Sequence, residues 1–168
     1  MNAGFDVAAI DHRDAAVAQQ IHAVLLPAYA QEARLLQAGD FPPLQRTVAD
    51  IQAEDVFYLG ASRGQTLLGA LALGRDDEPD QLLITTLVVH PAHQRQGVAQ
   101  ALMAAVLRRG AGMVFAVSTG AANAPALALY RALGFVVYRH GTVGPDALAL
   151  VKLRRPADAA TEPLPEMP

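Results

Sequence analysis

Apolar and polar positions recur with two different periods along the 168 residues, and their order outlines one mixed α/β domain. Residues 5–10, Phe-Asp-Val-Ala-Ala-Ile, read as a first strand. After Asp14, a residue type suited to capping a helix, Val17, Ile21, Val24 and Leu25 fall at helical spacing. That predicts a helix running on to Leu35 and Leu36, with a bend at Pro27. Residues 39–43 form a loop, and residues 48–51 belong to a short second helix. Residues 56–61 and 66–73 read as a hairpin around Arg63-Gly64. Residues 75–80, Arg-Asp-Asp-Glu-Pro-Asp, form a solvated turn before the apolar, β-branched strand 82–89. His90-Pro91 stops that strand, because proline cannot donate to a ladder. Val98, Leu102, Met103, Val106 and Leu107 predict an amphipathic helix, and residues 113–117 another short strand. Asn123 and Pro125 open a helix with Leu127, Tyr130 and Leu133 on one face, closed at Gly134. Residues 136–138 and 147–151 supply two last strands. The expected order is β-α-α-β-β-β-α-β-α-β-β. One domain over 1–154 is expected, followed by a Pro-rich disordered tail over 155–168.

Between the strand 82–89 and the helix at Val98 stands Gln94-Arg95-Gln96-Gly97-Val98-Ala99. Glycine at a loop-to-helix junction lets backbone approach a ligand closely. The first N–H groups of the helix have no partner within it, so they point at whatever anion lies there. This is the outline of a pyrophosphate site, with the backbone N–H groups of Gln96, Gly97, Val98, Ala99 and Gln100 as its main donors. Arg95 is a candidate to pair with a phosphate, although an exposed arginine is as often only solvated.

The charge distribution fits the same reading. The net charge is −3, yet residues 1–80 hold twelve Asp/Glu against five Arg. Residues 81–145 hold five arginines and no Asp or Glu at all. A segment free of negative side chains suits a polyanionic ligand. The acids of the first half hint at a cationic acceptor such as a polyamine, an aminoglycoside or a protein N-terminus. Nucleic acid is not expected, because the bases are dispersed, lysine occurs once and the pI is near 5.9.

Taken together, 94–99 and the run Asn123 … Tyr130-Arg131-Ala132-Leu133-Gly134-Phe135 resemble the GNAT superfamily of N-acetyltransferases. The first matches that family's acyl-CoA loop, Gln/Arg-x-x-Gly-x-Gly/Ala, and the second its Asn, then helix, then Tyr-x-x-x-Gly-Phe. The resemblance implies a mixed, mostly antiparallel twisted sheet with helices on both faces. A parallel strand pair would splay apart at the acyl-CoA site. It implies acetyl-CoA as co-substrate, an amine acceptor that is a small molecule or a protein amine, and Tyr130 as general acid near the CoA sulfur. Leu87, Val88 and Val89 would offer backbone groups to the pantetheine arm. Gln94 and Asn123 would complete the cofactor contacts, although an N-cap explains Asn123 equally well. Exposed final strands permit homodimers in this family.

The chain holds no cysteine, which excludes a Cys-linked acyl-enzyme and favours direct attack in a ternary complex. Many members of the family it resembles carry a glutamate on the strand before the loop, but 82–89 has Thr85-Thr86 there. Because 81–145 holds no carboxylate, such a base has to come from elsewhere. Glu32 and Glu54 are the candidates, with His22 and His90 as others. His22, Tyr29 and Glu32 share one helix face if the helix survives Pro27. No metal-binding spacing is recognisable. No apolar run reaches the roughly 18 residues of a membrane span, and the N-terminus does not read as a signal peptide. The cytoplasm is therefore the expected location. Two other classes fit the same loop: a non-catalytic acyl-CoA-binding sensor or scaffold, and an unrelated α/β domain that binds another phosphate.

Overall fold

The structure, a computed structural model, describes residues 4–157. Its elements are β1 (Asp6–Ile10), α1 (Ala15–Leu35), α2 (Val48–Ala53), β2 (Phe57–Arg63), β3 (Thr66–Arg75), β4 (Gln81–Val89), α3 (Val98–Arg109), β5 (Val114–Gly120), α4 (Ala124–Ala132), β6 (Val136–Val143) and β7 (Leu148–Arg155). Single 3-10 turns cover Pro42–Gln45 and Pro91–His93. This is the element order expected from the sequence. Seven strands form one sheet in the order β1-β2-β3-β4-β5-β7-β6. Every pairing is antiparallel except β4 with β5.

Strand period puts one core on each face of this sheet. Along β3, a bulge that leaves Leu68 unpaired between Leu67 and Gly69 shifts the alternation by one, so Leu68 and Leu71 share a core with Leu102, Met103, Val106 and Phe115 of α3 and β5. Leu67, Ala70 and Ala72 face the other way, toward Ile21, Val24, Leu25 and Tyr29 of α1. Helix α1 starts where Asp14 accepts from Ala16 and Val17 N–H, and α2 where Thr47 and Asp50 form a capping box. Pro27 lies inside α1 without ending it. Ile21, Val24, Leu25 and Tyr29 are all buried on the face that spans it. Fully burying one such side chain contributes about 1.5–3 kcal/mol, and four together exceed the roughly 3 kcal/mol an internal proline costs.

Three boundaries differ from expectation. Residues 118–120, beyond the expected strand 113–117, extend β5, because Ser118, Thr119 and Gly120 pair with Lys152, Val151 and Leu150 of β7. β6 and β7 run well past 136–138 and 147–151, since their ladder continues through the exposed residues Arg139, His140 and Thr142. Backbone pairing sustains a strand whose side chains show no alternation. The tail was expected from 155, but Arg155 is the buried last residue of β7, its Nε donating to the Leu133 carbonyl at 2.8 Å. The rest of the expected tail, from 158 onward, lies outside the described residues.

Candidate active site

Strands β4 and β5 pair only from Gln81↔Val114 to Ile84↔Val117, although both continue beyond. Where they part, β4 carries a bulge: Ala72 and Leu73 of β3 oppose Thr86 and Ile84, leaving Thr85 as the extra residue. From Thr86 on, β4 is paired to β3 alone. The edge of Leu87 and Val89 that faces β5 is thus open to an extended ligand.

The open edge leads directly to the loop. Arg95 (φ 62) and Gly97 (φ 81) both adopt left-handed backbone, so the chain turns sharply twice before α3. Gly97 is the N-cap of α3 and supplies no side-chain cap, and the first turn of α3 has no acid. The leading N–H groups are left for an anion. Gln94 is tied to α1 by its Nε2 donating to Gln31 Oε1 at 2.5 Å.

The gap between β4, the loop and α4 is a cleft of about 450 Å³, within the usual range for a small-molecule site. Of the residues expected at the cofactor, Leu87, Val89, Gln94, Arg95, Gly97, Val98, Ala99, Gln100 and Tyr130 line it. Val88, Gln96 and Asn123 do not. Val88 points into the core beneath α1, as strand alternation requires. Gln96 turns outward, its Oε1 accepting from Arg63 Nη2. His93, Pro125, Ala126 and Leu129 also line the cleft. Pro125, Ala126 and Leu129 could have been found from the helical spacing that places Tyr130.

A second cavity, of about 230 Å³, lies on the other side of Tyr130. Tyr29 and Glu32 of α1, Phe41 and Pro43 of the following loop, Thr86, Ser118, Thr119, Asn123, and Val143 and Leu150 of the β6–β7 hairpin wall it. Leu87, Ala126 and Tyr130 line both spaces. These three residues form the wall between them, and Tyr130 is the one that carries a polar group.

Tyr130 is held there by the end of its own helix. Phe135 N–H donates to the Tyr130 carbonyl at 3.0 Å and Gly134 N–H to that of Arg131 at 3.0 Å. This is a Schellman closure with Gly134 at φ 89. It sets Phe135 against Tyr130, with ring centroids 5.7 Å apart. The Tyr-x-x-x-Gly-Phe spacing is therefore a helix stop that fixes one phenol. Tyr130 is 5% exposed, and its hydroxyl has no hydrogen-bond partner among the described residues. Burial, and then the nearby charge of Glu32, raise its pKa well above the ordinary phenol value.

Glu32 faces Tyr130 from α1. Asn123 Nδ2 donates to its Oε1 at 3.2 Å, while Asn123 Oδ1 caps α4 by accepting from Ala126 N–H at 3.3 Å. Burial raises the Glu32 pKa, and the Asn123 hydrogen bond opposes that rise. Glu54, the other carboxylate candidate, lines neither cavity. It is paired with Arg46 at 2.5 Å. His22 Nε2 donates to the Arg46 carbonyl at 3.1 Å, and His90 Nδ1 accepts from Ala92 N–H at 3.1 Å, so both imidazoles are in structural hydrogen bonds.

Arg46 is a residue that sequence reading missed. Beside Glu54 it donates to Thr86 Oγ1 at 3.0 Å and Tyr58 Oη at 2.7 Å. It thus ties the residue after the β4 bulge to the loop before α2. Burial pushes the Tyr58 phenol up to about 12. Nothing in local spacing links Arg46 to Thr86, forty positions on.

The profile of the Acetyltransferase (GNAT) family matches residues 21–135. The chain belongs to this family. It is 33% identical over 127 residues to the UPF0157 protein YqkA of Bacillus subtilis, covering 75% of this chain and 36% of that one. To the N-alpha-acetyltransferase RimI of Mycobacterium tuberculosis it is 31% identical over 106 residues, covering 62% of this chain and 67% of the other. Among solved structures, yncA, a putative acetyltransferase from Salmonella typhimurium with its cofactor acetyl-CoA, superposes with a TM-score of 0.62. That match is 18% identical and covers 96% of this chain and 99% of that one. The chain thus spans about a third of YqkA. No described helix is long and apolar enough to cross a membrane, and no described group of His, Cys, Asp or Glu could hold a metal ion.

Proposed function

We propose that this chain is an acyl-CoA-dependent N-acyltransferase that moves an acetyl group from acetyl-CoA to a primary amine by direct attack in a ternary complex. The observation that carries this reading is Tyr130, a buried phenol with no partner on its hydroxyl, standing between two cavities. The larger cavity takes the donor. The diphosphate lies on the N–H groups that open α3, and the pantetheine arm runs along the open edge of Leu87 and Val89. The similarity to a structure that holds acetyl-CoA supports that donor. The smaller cavity takes the amine.

Transfer then needs one proton removed from nitrogen and one delivered to sulfur. The amine nitrogen attacks the thioester carbonyl, the C–N bond forms and the C–S bond breaks. Glu32 accepts the proton from nitrogen. Its raised pKa makes it a stronger base than an exposed glutamate. Tyr130 donates to the departing thiolate. Burial of the ring keeps the phenol protonated until the thiolate departs. Glu54, held by Arg46, has no part in this step.

The test is thermal unfolding with acetyl-CoA, CoA, NAD and ATP titrated separately, followed by CoA release with a panel of amines. A ligand at about 100 times its dissociation constant adds roughly 2.7 kcal/mol to stability. Stabilisation by the two CoA ligands and amine-dependent CoA release are expected. An equal shift with ATP overturns the donor assignment. Binding without turnover across the panel would favour a non-catalytic acyl-CoA-binding module.

A further inference from the structure

Outside the cleft, one cation stands beside the phosphate loop with no counter-charge. Arg63 is the last residue of β2 and is exposed. Its Nε donates to the Gly4 carbonyl at 2.9 Å and its Nη2 to Gln96 Oε1 at 3.1 Å. Both partners are neutral, and no described carboxylate lies within salt-bridge distance of it. Arg46, Arg139, Lys152 and Arg154 face acids elsewhere, and what sets Arg63 apart is that its hydrogen bond to Gln96 ties it to the loop. A guanidinium has five donors in a rigid fork. Two hydrogen bonds fix its position, and its remaining donors and whole charge stay free.

The placement says which anion this suits. Gln96 is the loop residue whose side chain turns away from the cleft, and Arg63 is attached to it. The arginine therefore lies past the loop's outer face, where the inward-facing amides of 97–100 do not reach. A CoA donor carries two phosphate groups apart from each other: the diphosphate, and the monophosphate on its ribose. Resting on the donor reading above, we infer that Arg63 binds the ribose phosphate, making the chain selective for CoA over dephospho-CoA.

The test is isothermal titration of wild type, Arg63→Ala and Arg63→Lys with CoA and with dephospho-CoA, at low and high salt. Wild type should bind CoA on the order of tenfold more tightly, the scale of a partly exposed charge-assisted contact. That preference should shrink at high salt. Arg63→Ala should bind the two ligands alike, and Arg63→Lys should recover part of the preference. Because both ligands meet the same protein, any loosening around Gly4 cancels in the ratio. Equal binding of the two ligands by wild type overturns this inference and leaves the donor reading intact. A parallel loss of both ligands in Arg63→Ala overturns it too, by placing the arginine on the diphosphate. Binding of neither ligand to wild type removes the donor reading and this inference together.

Discussion

The two cavities, proposed here to take the donor and the acceptor, share a wall but are built in opposite ways. The donor cleft comes from one stretch of chain, 87–130, in which strand, loop and two helices follow in sequence. Its working parts are backbone amides and an open strand edge, and its special geometry rests on Arg95 and Gly97 at positive φ. The acceptor cavity is assembled from α1, the loop after it, β4, the end of β5, α4 and the β6–β7 hairpin. Its polar lining includes the side chains of Glu32, Tyr29, Thr86 and Asn123. Backbone recognition needs only the right turn and tolerates side-chain change, so it suits a co-substrate shared across a family. Side-chain recognition can be altered one segment at a time, so it suits an acceptor that differs between members.

The sharpest way to break this contrast is Gly97→Glu. A Cβ there meets nothing within 4 Å, so the cost to the fold is the strained φ alone, about 1–2 kcal/mol. The added carboxylate would stand among the amides meant for phosphate. Acetyl-CoA binding should disappear by calorimetry while the circular dichroism spectrum stays that of wild type. Retained affinity would mean that the donor site is not built on this turn.

Tyr130→Phe tests the wall between the two spaces. The Schellman closure and the contact with Phe135 involve backbone and ring, so they survive the change. Acetyl-CoA affinity should be unchanged while turnover falls on the order of 10²-fold or more, the usual scale for a general acid. Equal turnover would remove the phenol from the mechanism.

Glu32→Gln probes the acceptor side and should cost turnover about 10²-fold. In wild type, turnover should climb on the acid side as Glu32 ionises, through a pKa raised above that of an exposed glutamate. The variant should lack that limb. Stability should move the other way. With its folded pKa above the unfolded value, Glu32 favours the native state below the unfolded pKa. That contribution is lost as pH rises through the folded pKa. At neutral pH the half-buried carboxylate is a burden, so Glu32→Gln should unfold no earlier than wild type. A lower melting temperature at neutral pH would mean that the carboxylate is structural.

The contrast between the two spaces also explains what the sequence alone made legible. Element order, the loop at Gly97 and the stop at Gly134-Phe135 all depend on spacing within one stretch of chain. A left-handed turn before a helix, or a glycine after one, has the same meaning wherever it occurs. The acceptor cavity depends on which distant segments meet. Glu54 and Glu32 are equivalent as letters, and only the fold gives one to Arg46 and leaves the other facing Tyr130. Phe41, Val143 and Leu150 meet because the β6–β7 ladder extends through polar residues that carry no periodic signal.

Asn123 is where the contrast blurs, and it gives the smallest effect. By sequence it belongs to the donor motif, yet it lines the acceptor cavity and hydrogen-bonds Glu32. Its two roles use opposite ends of one amide. Asn123→Ser can keep the α4 cap, since a serine hydroxyl accepts at such a position nearly as well, but it cannot reach Glu32 as the amide does. Asn123→Ala loses both, and the lost cap alone costs about 1 kcal/mol. The melting temperature should therefore fall in the alanine variant and hold in the serine variant. In both, Glu32 loses the hydrogen bond that favours its ionised form, so its pKa should rise further. The acid limb of the pH–rate profile should then shift to higher pH by the same amount in each, with acetyl-CoA affinity unchanged. An unshifted limb would reduce Asn123 to a helix cap, and a loss of acetyl-CoA affinity would return it to the donor side.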